Sequence, residues 1–243
     1  VTSHTSDALL ALLSESPREG FRAFFKLEER LLEEGRADEA RALAEDLWRR
    51  LGATPPSAPA ERARLAHDFA VFLGTPGPAA DLARARRLFA EARAFWEEAG
   101  EAADAARSLH NEANALQNLA AGAAELEEAL VLYERALLFR TAERAIARGV
   151  TLHNMGAALR KLGELSKDAA LLSRSVEALR EAVAIRRGEG LAEGEALSRF
   201  QLGLTLQAAG EADAAREAFQ ESARLYEALG KPGEAEVARR CAV

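Results

Sequence analysis

Three histidines recur at a fixed interval in this chain, His67, His110 and His153, and with His4 they are all the histidines it has. A column of imidazoles invites two chemistries, metal ligation and activation of a nucleophile. Neither fits. A zinc site needs its ligands about 2.0–2.3 Å from one ion, whereas equivalent positions on neighbouring helical units lie about 8–10 Å or more apart. There is no His-x-x-x-His, Cys-x-x-Cys or Gly-x-Ser-x-Gly, and the sole cysteine, Cys241, is near the C-terminal end. We expect no metal, no cofactor and no enzymatic activity.

The amides beside these histidines are more informative. Arg107, His110, Asn111, Asn114 and Asn118 fall on one face of a helix, while Ala106, Leu109, Ala113, Leu116 and Ala120 form its apolar face. Asn is a poorer helix former than Glu or Lys by up to ~0.5 kcal/mol, so three on one face carry a cost with no local reason. An amide both donates and accepts. Asn154 repeats Asn111 one unit on, and Asp68 and Gln201 hold that position in the flanking units. Arg160 and Lys161 follow His153 and, with Arg107, would give a basic strip suited to carboxylates. Free histidine titrates near ~6.5, so mild acid would add charge to this strip. If this face binds a ligand rather than only meeting solvent, its candidate residues are His67, Asp68, Arg107, His110, Asn111, Asn114, Asn118, His153, Asn154, Arg160, Lys161 and Gln201.

These residues sit in a repeat. Phe25, His67, His110, His153 and Phe200 anchor related segments, among them Thr151-Leu-His-Asn-Met-Gly156, at steps of 42, 43, 43 and 47 residues. One supersecondary unit per near-constant step describes a solenoid. Each unit reads as helix A, turn, helix B. The B helices carry a small-large-small pattern: Ala85, Phe89, Ala92; Ala129, Tyr133, Ala136; Ser175, Leu179, Ala182; Ala215, Phe219, Ser222. Ala70, Ala113, Gly156 and Gly203 are the matching small residues of the A helices. Such positions let helices approach closely, with the large residue filling the gap.

The spacing predicts a capping helix over 1–16, a repeat domain over 17–230 and a second cap over 231–243. The units span about 17–52, 58–100, 102–148, 150–190 and 194–230. Within them a long helix is expected at about 124–148, broken by Gly149, and another at 150–162, closed by Gly163, with glycine as the cap of nearly every helix. Gly52–Pro59 reads as the clearest linker, and Thr75–Ala80 and Glu164–Asp168 as inserts between paired helices.

The A-helix Gly or Ala followed by Ala, aromatic and Ala on helix B resembles the tetratricopeptide-repeat (TPR) family, and Gly203, Ala215, Phe219 and Ser222 keep its internal spacing. The longer step, and Thr151-Leu-His-Asn-Met-Gly156, are similar to the repeats of kinesin light chains and bacterial signalling proteins. HEAT or armadillo repeats share the period, but the small-large-small helix B favours the first reading. The resemblance covers about 18–230. It implies an all-α, right-handed solenoid of about five helix-turn-helix repeats whose A-helix face lines a concave groove, where Asn111 and Asn154 would bond an extended peptide.

The bulk numbers narrow the partners. The 243 residues are 49% hydrophobic and 29% charged, with a net charge of −7. An acidic chain is a poor match for nucleic acid or anionic membrane. One cysteine excludes an internal disulfide and points to a reducing, cytoplasmic setting. No segment reaches the ~18 apolar residues of a membrane span. Arg far outnumbers Lys, which suggests a high-GC bacterial genome. The function expected is a scaffold binding a protein or peptide, an acidic one if the basic strip is used; self-association through the end repeats is a separate, third reading. The alternative is a regulatory or sensor segment of a larger signalling enzyme or transcriptional regulator.

Overall fold

The computed structural model describes residues 3–53, 58–74 and 79–242. Among these the chain forms twelve α-helices, one 3-10 turn and no strand. The helices are α1 (Ser3–Glu15), α2 (Pro17–Glu33), α3 (Ala37–Ala53), α4 (Pro59–Gly74), α5 (Ala79–Glu98), α6 (Ala102–Leu119) and α7 (Ala123–Phe139). After the 3-10 turn Ala142–Arg144 come α8 (Ala145–Ser166), α9 (Ala169–Gly188), α10 (Ala192–Ala208), α11 (Ala212–Ala228) and α12 (Pro232–Cys241). From α4 onward each A helix (α4, α6, α8, α10) packs on the B helix that follows it, and each B helix on the next A helix. The backbones of successive A helices α6, α8 and α10 also approach one another, whereas those of the B helices do not come comparably close among the described residues. From α6 to α10 the A layer is therefore the tighter one, which places the A helices on the inner side of that stretch.

Close packing at the small-large-small positions holds the layers together. Every residue of that pattern is buried. A Cβ added at Gly156 would sit 2.6 Å from Leu179 Cγ, and one at Gly203 would sit 2.6 Å from Phe219 Cε1. Glycine at these two sites is what admits the large B-helix residue, and burying a Leu or Phe stabilises by about 1.5–3 kcal/mol. Ser175 and Ser222 stand in for Ala by donating to the A-helix carbonyls of Gly156 (2.7 Å) and Ala196 (2.8 Å). On the outer side ion pairs run between B helices one unit apart: Arg135–Glu97 at 3.1 Å, Arg86–Glu128 at 2.5 Å and Arg174–Glu134 at 2.8 Å. Exposed pairs of this kind contribute about 0–1 kcal/mol each. At the N-terminal side, Trp48 of α3 stacks on Phe69 of α4, ring centroids 4.7 Å apart, with the Arg84 guanidinium 5.0 Å from the same ring.

The middle of the chain departs from the sequence expectation. The helix expected to run to 148 stops at Phe139, and the next begins at Ala145, before Gly149. A buried arginine makes the corner. Arg140 turns inward and donates from Nη1 to the Ala147 carbonyl (2.8 Å) and to Thr151 Oγ1 (2.5 Å). Gly149 and Gly163 lie inside α8 rather than ending helices, and each faces a neighbouring side chain, Ile185 and Leu172 respectively. The left-handed turn after α8 is supplied by Lys167, φ 55°. Glycine holds the left-handed position only at Gly35, Gly100, Gly190, Gly210 and Gly230 among the described residues. The Gly52–Pro59 linker and the Thr75–Ala80 insert fall largely outside the described residues.

Candidate functional site

The histidine column is not a set of free groove side chains. His67, His110 and His153 are only 2%, 7% and 7% exposed. Each bridges two units through Nδ1: His67 to Ser108 Oγ (2.9 Å), His110 to Thr151 Oγ1 (3.2 Å) and His153 to Ser198 Oγ (3.1 Å). Two of the rings also pack on the helix B of their own unit, His67 against Phe89 and His110 against Tyr133.

At His110 the donors and acceptors fix the tautomer. Thr151 Oγ1 donates to the Ala147 carbonyl (3.0 Å) and accepts from Arg140, so His110 Nδ1–H donates to it as well. Nε2 is left as an acceptor, and Asn154 Nδ2 lies 3.5 Å from it; Asn111 Nδ2 makes the same long contact to His67 Nε2. Burial holds all three imidazoles neutral. It pushes His67 down to about 3, assisted by the Arg107 charge, His110 to about 3, assisted by Arg140, and His153 to about 4, assisted by Arg186. Mild acid therefore adds no positive charge at the three histidines, contrary to the sequence expectation.

The basic strip is also altered. Arg107 pairs with Asp104 on its own helix (2.9 Å), and Arg160 with Glu164 (2.8 Å). Lys161 is exposed but borders a separate concavity with Gln117, Leu126, Glu164 and Leu165. Gln201 is half-buried, and its Oε1 has no partner among the described residues.

The structure does bring together the amides of α6. Asn111, Asn114 and Asn118 line one open concavity with Val71 and Gly74 of α4, Leu82 and Phe89 of α5, and Ala115. Val71 is 43% exposed, unusual for an apolar residue facing a neighbouring helix, so one wall is both apolar and accessible. Asp68 lies one turn before Val71 on α4. Its carboxyl is pushed up to about 6, first by burial, with Asp104 adding to this and Arg107 and Arg64 opposing it.

Sequence reasoning missed the hydroxyls Ser108, Thr151 and Ser198 and the buried Arg140 and Arg186, the latter bonding Ser198 Oγ (2.6 Å) and the Gly194 carbonyl (2.7 Å). The hydroxyls stand two residues before the anchor of each later unit, and that register was available in the sequence.

Comparison with solved structures agrees with this architecture. The chain resembles BtubC (BKLC) from P. vanneervenii with a TM-score of 0.68 at 18% identity, over 94% of this chain and 89% of that one. It also resembles a Podosopora anserina putative kinesin light chain with nearly identical TPR-like repeats, TM-score 0.62 at 19% identity, over 86% and 95% of the two chains. A glutamine-to-methionine variant of that protein gives 0.64 at 18%, over 86% and 96%. No family model and no curated protein matches by sequence. At these identities the likeness concerns the fold alone, which is that of a TPR-like helical-repeat solenoid. No described helix is long and apolar enough to cross a membrane.

Proposed function

We propose that this protein is an interaction scaffold that binds an extended segment of a partner protein along the inner face of its A helices. The observation that carries this reading is the concavity between α4 and α6, where three amides face an exposed apolar side chain, Val71. Asn114 and Asn118 have no hydrogen-bond partner among the described residues. Such amides can donate to and accept from a peptide backbone, while Val71 and Leu82 offer apolar contact to its side chains. The single cysteine supports a reducing, cytoplasmic setting, and the Arg-rich composition a bacterial source.

An acidic partner loses most of its support. The histidines stay neutral, and Arg107 and Arg160 already hold carboxylates. The test is selection of random linear peptides displayed on phage, followed by calorimetry. Asn114→Ala and Asn118→Ala should each weaken the selected peptides by about 0.5–1.5 kcal/mol, one backbone hydrogen bond apiece, with melting unchanged. Peptides that bind both variants as tightly as the parent would move the site elsewhere.

A further inference from the structure

If a segment binds between α4 and α6, as proposed for the groove, Asp68 narrows the chemistry of that segment. The equivalent residues of the next two units, Asn111 and Asn154, are neutral, and each reaches back to the histidine of the preceding unit. Asp68 has no such histidine behind it, because the anchor of the first unit is Phe25. Its carboxylate has no hydrogen bond or ion pair among the described residues. The charges that act on it do so at a distance. Arg107 is committed to Asp104, and Arg64, one turn earlier on α4, is exposed and does not close on it.

A half-buried carboxylate without a partner is costly, and a cation brought by a ligand offsets that cost. The wall one turn further along α4 is apolar, Val71 with Leu82 behind it. One helical turn advances about 5.4 Å, close to the roughly 6.6 Å between same-face side chains of an extended strand. We propose that the groove between α4 and α6 takes an extended peptide whose Lys or Arg side chain pairs with Asp68, while the apolar side chain two residues away lies against Val71 and Leu82.

The phage-displayed peptides selected on the folded protein provide the probe. The expected enrichment is basic-x-apolar. Affinity should fall about tenfold in Asp68→Asn, and about as much when the peptide's own basic residue is changed to Gln. Combining the two changes should cost little more than either alone, because both remove one contact. Asp68→Asn is nearly isosteric and removes a poorly solvated charge, so it should melt no lower than the parent. Selected peptides that weaken in Asn114→Ala and Asn118→Ala but carry no basic residue, or ignore Asp68→Asn, overturn this inference and leave the groove standing. Peptides indifferent to all three substitutions, or a selection that yields no binder, overturn both.

Discussion

Acidification should loosen this solenoid through its buried histidines, and the size of the effect follows from their surroundings. An unfolded histidine titrates near 6.5, whereas His67 and His110 are held to about 3 and His153 to about 4. Between these limits the unfolded chain carries protons that the folded one excludes, so stability rises with pH across the window and is lost as pH falls below about 6.5. Going from pH 7.5 to 5 costs about 2 kcal/mol for each imidazole, or about 6 kcal/mol for three. Asp68 acts in the opposite direction. Its folded carboxyl is raised to about 6, so it takes up a proton over the same interval and returns about 1 kcal/mol. The net loss of about 5 kcal/mol is comparable with the whole stability of many domains. Urea denaturation followed by circular dichroism at the two pH values measures it. His110→Gln, neutral throughout, should reduce the loss to about 3 kcal/mol. The same pH dependence in His110→Gln and the parent would refute the reasoning, because it would mean that His110 ionises equally in both states.

Three further results are expected. Gly156→Leu should destabilise by about 1–3 kcal/mol in thermal unfolding, since even a Cβ there meets Leu179 Cγ at 2.6 Å. Asp68→Asn should raise stability at pH 7.5 by about 1–3 kcal/mol, with the gain vanishing below about pH 4, because it removes an ionised carboxylate that burial disfavours; urea denaturation at the two pH values checks it. Arg140→Met should lower the melting temperature, at a cost of about 2–4 kcal/mol, and increase hydrogen exchange at the start of α8, where Arg140 holds the Ala147 carbonyl and Thr151.

The repeat was legible because its signal is periodic and apolar. Phe89, Tyr133, Leu179 and Phe219 announce the B helices, and all four are buried as that pattern requires. The corner between α7 and α8 was not legible. Arginine is normally a surface residue, and nothing local marks Arg140 as one that turns inward. The histidines were misread for a different reason. A polar residue on a helix face looks exposed until its partner on the next unit is considered. His67, His110 and His153 occur where the following unit carries Ser108, Thr151 or Ser198, whereas Phe25 is followed by Leu65 at that register. The neutralised strip was readable too. Asp104 stands three residues before Arg107 and Glu164 four after Arg160, the spacings at which helical side chains meet. The amides of α6 stood out in the sequence because three of them share one helix face, a pattern that needs no partner on another unit to be noticed.

The central claim is that ligands enter the inner face between α4 and α6. Nuclear magnetic resonance of the side-chain amides tests it most directly, with a phage-selected peptide titrated into the labelled protein. The account predicts that the Asn111, Asn114 and Asn118 NH2 signals shift together as the peptide saturates, along with the Val71 methyls. Saturable binding that leaves those signals in place and instead moves residues on the outer surfaces of α5, α7 and α9 would contradict it.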